Sequence, residues 1–450
     1  MNYTTQQLKK WDAEHLLHPY MNFEKFRNII AKGEGAYIYD HDGKKYLDGV
    51  AGLWCVNIGH GRKELGEVMQ KQTEKLGYYS SFVSFANEPS ILLAQKIMAL
   101  APKNLTHLYF TTGGSEANDA TIRIVHNYNF LRKMPYKKHI ISRKQAYHGM
   151  TYLTASLTGL PSNNENYHTI TDFIHHLSCP SSYRPPMDGE LTPKEQVNFY
   201  VTELEKKIHQ LGAHNVAAFI AEPIMGAGGV HVAPEGYHKK MWEVCKKHDI
   251  LYVSDEVVTG FCRLGEFFTT EKLYGVKADI INVAKGITSG YFPMGATLIS
   301  DEIYSTLKKG EFTTAFTYSA HPVGAAVALK NIEIMEKEKI GEGVKTISQK
   351  LWQRLKDLQK KHPVLGDVRG SHFMLGFEFV ADQKTKKPFP LEKKFSAKLS
   401  DFCFENGLVI RPLSENINVL SPTLIWKEEQ VEELYKILDL SITQTLNALA

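Results

Sequence analysis

Ile250-Leu-Tyr-Val-Ser-Asp-Glu-Val257 and, further on, Asp279-Ile-Ile-Asn-Val-Ala-Lys-Gly286 contain two short apolar runs that each end on a charge, Asp255 in the first and Lys285 in the second. Between them Gly260, Arg263, Gly265, Phe267 and Phe268 suit a loop and a helical crossover, so the unit reads as strand, crossover, strand. Ligands of open α/β sheets gather beyond the carboxyl ends of the strands, where both charges fall. An amine beside a carboxylate at one sheet edge suits Schiff-base chemistry. The amine condenses with an aldehyde cofactor, and the carboxylate keeps a pyridine nitrogen protonated so that the ring draws electrons from a carbanion. Lys285 and Asp255 suit these roles, although either residue taken alone is more often a solvated side chain at a strand end.

Working outward, apolar strand candidates fall at Leu108 to Thr111, His139 to Ser142, Val216 to Ala221, Ile250 to Val253, Ile280 to Val283 and Ala296 to Ile299, mostly with helical stretches between. That alternation predicts a mostly parallel sheet covered on both faces. Only the Lys285 loop separates the last two strands, too little for a crossover helix, so they are expected to pair antiparallel. Upstream, Ala36-Tyr37-Ile38-Tyr39, a turn at His41-Asp42-Gly43 and Lys45-Tyr46-Leu47 read as a hairpin. The first thirty or so residues are polar and aromatic, and Pro19 makes His18 to Tyr20 a poor helix interior. After Pro322 come two helices, with Val327, Ile332 and Met335 and then Ile347, Leu351, Leu355 and Leu358 on their apolar faces. Short strands at Phe373 to Val380 and Leu408 to Arg411, a helix between them stopped by Gly407, and a final amphipathic helix from about Lys427 complete a smaller α+β domain. The expected division is an N-terminal segment over 1–61 packing with the small domain, a large domain over 62–322 and a small domain over 323–450.

The chain is long enough, at 450 residues, for two domains and a large core. Its net charge of +4 is a small difference between interspersed charges of both signs, with no basic stripe for nucleic acid. The five cysteines are odd in number, scattered and in no C-x-x-C pair, which argues against a disulfide framework or a zinc site. No apolar run is long enough to span a bilayer, and the first residues lack the order of a signal peptide, so no membrane and a cytoplasmic location are expected.

Further residues bear on chemistry. Thr111-Thr112-Gly113-Gly114-Ser115-Glu116-Ala117 follows a strand and opens a helix. It reads either as an ordinary N-cap or as a phosphate cradle, with free backbone N–H groups, the helix dipole and the Ser115 hydroxyl facing the ligand. Tyr147, in Ala146-Tyr147-His148-Gly149, is either a ring stacked on an aromatic cofactor or a buried plug. Glu222 adds a carboxylate at the same edge, and Val257 is placed to pack on a ring face. Thr317 precedes the helix near Pro322 and can donate to a phosphate. Arg411 ends a strand of the small domain, either forking onto a substrate carboxylate or forming a surface salt bridge. Trp54, in the glycine-rich stretch Gly49 to Gly61, is a packing or a pocket residue in equal measure. His175-His176 has no Glu or Cys at ligand spacing and reads as no metal site.

Together these stretches resemble the class III aminotransferases. The motifs are Gly-Leu-Trp-Cys-Val-Asn at 52–57, Gly-Gly-Ser-Glu-Ala-Asn-Asp at 113–119, Tyr147-His148-Gly149, Glu222-Pro223-Ile224, Asp255-Glu256-Val257 and Ala284-Lys285-Gly286-Ile287-Thr288-Ser289-Gly290-Tyr291. The resemblance covers nearly the whole chain. It implies an α/β fold of type I among enzymes of pyridoxal 5′-phosphate, with a mostly parallel seven-stranded sheet in a large domain plus a smaller α+β domain. It implies that Lys285 forms the Schiff base and carries the proton, and that Asp255 bonds the pyridine nitrogen. Gly114 and Ser115 would hold the phosphate, Tyr147 would stack on the ring and Val257 would cover its other face. His148 and Glu222 join the cofactor-binding set. Thr317 is expected to reach the phosphate of a neighbouring subunit, implying a homodimer with shared sites; whether two dimers pair into a tetramer is left open by the sequence.

Within that family the chain is most similar to the ω-amino acid to pyruvate transaminases. Tyr20, Trp54 and Phe82 would line the substrate pocket, and Arg411 would bind a carboxylate or swing away from it. Ornithine and γ-aminobutyrate enzymes carry a glutamate after the glycine matching Gly226, where this chain has Ala227, which argues against those substrates. The expected reaction is ping-pong transfer of an amino group from an amine donor to pyruvate or a related keto acid. The alternatives are the biotin-pathway 8-amino-7-oxononanoate aminotransferase and a racemase or decarboxylase of the same fold.

Overall fold

The computed structural model describes residues 3–20, 28–187, 189, 191–414 and 416–449. Strands β1 (Ile30–Glu34), β2 (Tyr37–Asp40) and β3 (Lys45–Asp48) form an antiparallel meander, with the expected hairpin at β2 and β3. The polar start holds a helix, Thr5–His15, that sequence reading left out; Thr4 caps it reciprocally with Gln7. None of its residues is buried. With no apolar stripe to mark it, only the cap announced the helix.

Seven strands then build the central sheet: β4 (Leu105–Thr111), β5 (His139–Arg143), β6 (Ile174–Leu177), β7 (Val216–Ala221), β8 (Leu251–Asp255), β9 (Ile280–Val283) and β10 (Gly295–Ser300). Their order is β4-β10-β9-β8-β7-β5-β6. Strands β9, β8, β7, β5 and β6 pair parallel, whereas β10 runs antiparallel to both β9 and β4. The short Lys285 connection thus reverses the chain as its length required. Strand β6, which carries His175 and His176, was missed because its polar residues break the apolar run; His139 Nδ1 lies 3.0 Å from His175 Nε2 across the β5–β6 pair. Strands β7, β8, β9 and β10 are buried along their whole length, as a sheet covered on both faces demands.

The third sheet combines β11 (Leu365–Ser371), β12 (Met374–Asp382), β13 (Lys387–Pro388), β15 (Arg411–Ser414) and β16 (Ile417–Leu420). The predicted strand at Leu408 to Arg411 is divided: β14 (Leu408–Val409) leaves this sheet to pair parallel with β3, and Arg411 opens β15. Strands β11 and β16 were not read from the sequence. Helices Pro322–Lys337, Ile340–Lys361, Phe395–Glu405 and Glu428–Asn447 occupy the predicted places, with Val327, Ile332, Met335, Leu351, Leu355 and Leu358 buried.

Candidate active site

Because β4, β5, β7, β8 and β9 run in one direction, their carboxyl ends open on one edge, and the residues that follow them meet there. A cavity of about 210 Å³ lies at that edge. Its wall includes Gly113, Gly114, Val257, Lys285, Thr288 and Gly290. Three expected site residues, Gly114, Val257 and Lys285, therefore share one cavity.

Helix Gly114–Leu131 starts here with Gly113 at its cap and no side chain accepting from its first turn. Its first N–H groups are left for a ligand, and the dipole favours an anion at this end. A Cβ on Gly114 would stand 2.9 Å from Val257 Cγ1, so glycine is what allows the helix start to lie against the valine. The Ser115 hydroxyl accepts from Met150 N at 3.2 Å, which leaves its own proton to donate. Next to it Gly149 has φ 135°, and a Cβ there would come within 2.5 Å of Ser115 Oγ. An N-cap serine and a phosphate cradle were the two readings of this motif; Ser115 lies inside the helix and does not cap it.

Asp255, the last residue of β8, is buried. Its Oδ2 accepts from His148 Nδ1 at 2.8 Å and from Asn118 Nδ2 at 2.9 Å, and its Oδ1 accepts from Val257 N at 3.1 Å. Asn118 also donates to the His148 carbonyl at 2.8 Å and accepts from Asn282 Nδ2 at 2.7 Å. Asn282 Oδ1 in turn accepts from Thr121 and Thr297, each at 2.8 Å. A buried polar chain thus fixes the carboxylate from behind. Asn118 and Thr121 sit three apart on one helix face, but nothing in the sequence alone distinguished them from solvated polar residues.

Glu222 follows β7 and is buried, which raises its pKa against the pull of His148 and Arg143. Its two oxygens accept from Tyr147 N at 3.0 Å and Gly226 N at 2.9 Å, so it ties two loops together. Burial also raises the Tyr147 phenol. Lys285 lies just beyond β9 with φ 46°. Burial lowers its pKa, while Asp255, Cys55 and Glu222 push the other way and Arg411 adds to the lowering.

Arg411 is partly buried, which lowers its pKa, and Tyr20 and Tyr147 are its electrostatic neighbours. No hydrogen bond or ion pair joins its guanidinium to any described residue. Tyr20 Oη accepts from Asn163 Nδ2 at 2.8 Å. Trp54 is buried against Gly226, where a Cβ would stand 3.0 Å from its ring, and packs with Ile224, Val230, Leu264, Met374 and Val419. Its indole N–H has no partner among the described residues. Phe82 and Thr317 are exposed on this single chain and stand outside the cavity wall; the Thr317 carbonyl accepts from Tyr78 Oη at 2.6 Å.

Sequence reading placed Arg263 in the crossover loop but missed its part. It is fully buried, pushed down to about 10 by desolvation. It donates to Asn57 Oδ1 at 2.8 Å and to the carbonyls of Phe373 and Pro422 at 3.2 and 2.5 Å. Asn57 Nδ2 donates to the Phe261 carbonyl at 2.7 Å, and a Cβ on Gly286 would come within 2.4 Å of that nitrogen. Only glycine fits after Lys285.

The glycine-opened helix and the lysine on one cavity, with the buried Asp255 carboxylate acting on that lysine, fit a cofactor with a phosphate, a pyridine nitrogen and an aldehyde. Among the described residues no cluster of three or more His, Cys, Asp or Glu could hold a metal ion. A family model described as aminotransferase class III matches residues 21–442. Putrescine–pyruvate aminotransferase of Pseudomonas aeruginosa is 41% identical over 457 residues, spanning 99% of this chain and 98% of its own. γ-Aminobutyrate transaminase 1, mitochondrial, of Oryza sativa subsp. indica is 38% identical over 415 residues, spanning 91% of this chain and 80% of its own. The structure of a thermostable (S)-enantioselective ω-transaminase from Thermomicrobium roseum superposes with a TM-score of 0.96 at 39% identity, over 99% of this chain and all of that one.

Proposed function

Because the chain belongs to the class III aminotransferases, which work with pyridoxal 5′-phosphate, we propose that it moves an amino group from a primary amine or ω-amino acid to pyruvate or a related keto acid. One observation carries the reading furthest: Lys285 shares a cavity with the uncapped helix start, and burial lowers the pKa of its amine.

Bound there, the cofactor supplies an aldehyde that takes up an amino group and a ring that holds electrons released at the substrate carbon. The N–H groups of Gly114 and Ser115 would hold its phosphate, and Tyr147 and Val257 would enclose its ring. Asp255, braced by His148 and Asn118, would hold the proton on the pyridine nitrogen. Glu222 positions the Tyr147 backbone. Lys285 Nζ would take the proton from the substrate carbon and return it, and a lowered pKa favours the neutral amine that such a base needs. Arg411, unpaired in the described structure, would receive the carboxylate of the keto acid in a fork, next to Tyr20, Trp54 and Phe82.

The donor class follows the relatives: a terminal amine such as that of putrescine suits the reading, and γ-aminobutyrate also stays open despite Ala227, since an enzyme named for it is among the relatives. The active form we propose is a homodimer. An exposed aromatic surface of Tyr78, Tyr79, Phe82, Phe85, Phe312 and Tyr318 supports it, with the exposed Thr317 beside Tyr78 reaching the partner's phosphate. The pairing of β3 with β14 supports an N-terminal segment over 1–61 that packs with the small domain of 323–450 beside a large domain of 62–322. Five free cysteines suit a reducing, cytoplasmic setting.

An absorbance spectrum of the holoenzyme tests the reaction. A visible band that an amine donor abolishes and pyruvate restores is the expected result. A band that no donor in a panel of diamines, ω-amino acids and arylalkylamines alters would overturn the transaminase reading.

A further inference from the structure

The backbone that carries Lys285 is held in an unfavourable shape. Lys285 and Ser289 have φ of 46° and 50°, the left-handed region that side chains with a Cβ rarely adopt, and Gly290 follows at 75°. The short turn Lys285–Ile287 supplies few bonds of its own: Ile287 N to the Ala284 carbonyl at 3.0 Å, and longer contacts from Thr288 N and Ser289 N. Such a shape persists only where its surroundings over-determine it.

One side chain does most of that. Asn331, fully buried in helix Pro322–Lys337, points its amide at the loop. Its Nδ2 donates to the Gly286 carbonyl at 2.9 Å and the Ile287 carbonyl at 3.0 Å. Its Oδ1 accepts from Ser289 Oγ at 2.7 Å, and that hydroxyl also accepts from Ile58 N at 3.3 Å. The clamp thus grips Gly286, Ile287 and Ser289, beginning immediately after the lysine and ending on the second left-handed residue. A primary amide is the smallest side chain with two donors and an acceptor on one plane. Aspartate has its shape without the donors, and alanine has neither.

We propose that Asn331 is a positioning residue for Lys285: its amide holds the strained loop so that the amine meets the cofactor and substrate carbon in a reactive orientation. This rests on the reading of Lys285 as the cofactor-bearing lysine. Reacting groups displaced by about 1 Å lose on the order of 100-fold in rate, so a loosened clamp is expected to show in the rate.

The test compares Asn331→Ala, Asn331→Asp and Ser289→Ala with the wild type, all as holoenzymes. Two quantities are followed: the rate at which donor abolishes the visible band, per bound cofactor, and the pH midpoint at which that band changes without donor. Asn331→Ala is expected to slow the first about 10- to 100-fold and to shift the second. Asn331→Asp should behave like alanine, and Ser289→Ala should move both in the same direction by less. An aspartate variant that matches the wild type would overturn the proposal, as would variants that lose thermal stability while rate and midpoint stay put. Should the Asn331 variants fail to fold, Ser289→Ala decides, and an unchanged rate and midpoint there sink the idea. A wild type that ignores every donor would instead refute the transaminase reading, while the midpoint, which needs no donor, would still test Asn331.

Discussion

Lys285 has a buried amine on a left-handed backbone, and both features cost stability that a less functional residue would not. Its pKa is lowered in the folded chain, whereas unfolding restores an ordinary value near 10.4. Between those two values the unfolded chain binds a proton that the folded chain lacks, so the penalty is full at and below the folded pKa and disappears as pH approaches about 10.4. Lys285→Met should therefore stabilise the cofactor-free protein at neutral pH, by a margin that narrows as pH rises towards that limit. Thermal unfolding across a pH series measures it, and a gain that ignores pH would show that the amine's charge is not responsible. Arg411 offers a complementary case. With its guanidinium free of described partners, Arg411→Ala is expected to raise KM for pyruvate by about tenfold or more, in line with a charged hydrogen bond of about 1.5–3 kcal/mol, and to leave KM for a monoamine without a carboxylate nearly unchanged. Equal changes for both substrates would remove the arginine from carboxylate binding.

At the scale of elements, the site is made where a strand reverses. Strand β10 runs against both neighbours, so its first residue, Gly295, pairs with Thr111 at the end of β4 and lies beside the glycine turn. A Cβ on Gly295 would come within 2.8 Å of the Gly113 carbonyl and of Thr111 Oγ1. Gly295→Ala should push the helix start out of place without touching the lysine. The expected outcome is faster loss of cofactor on dialysis, followed by the visible band, with the rate per bound cofactor changed far less. Retention equal to wild type would mean that the turn yields without moving the cradle. The antiparallel hairpin was legible in advance from the length of its connection alone. The helix Thr5–His15 and strands β6 and β11 were not, because their polar residues leave no apolar period to detect, and β16, Ile417–Leu420, is too short to show one.

At the scale of the molecule, Thr317 is exposed and outside the cavity of its own chain, beside an exposed set of aromatic residues. If the threonine serves a partner's site, two crippled chains can repair each other. In a hybrid dimer of Lys285→Ala with Thr317→Ala, one site carries both defects and the other carries neither. Refolding a mixture of the two variants should thus restore activity above either parent, up to about a quarter of the wild-type sites for random pairing. No gain on mixing, in a sample that sedimentation shows to be dimeric, would place Thr317 outside the shared site.

The sequence alone determined what repeats along a chain or ends an element: the strand and helix alternation, the reversal at Lys285, and the charged or glycine-rich residues at strand ends, Asp255, Lys285, Glu222 and Gly114. These signals are local, set by periodicity, connection length and the residue that follows a strand. Tertiary structure decided which polar residues serve those ends. Asn118, Asn282, Arg263, Asn57 and Asn331 look like any solvated polar residue when read in order. Their partners lie as far along the chain as Asn118 from Asp255, Arg263 from Asn57 and Asn331 from Gly286. A buried amide carries no period, and only the fold, by closing water out around it, turns its hydrogen bonds into a brace for the chemistry.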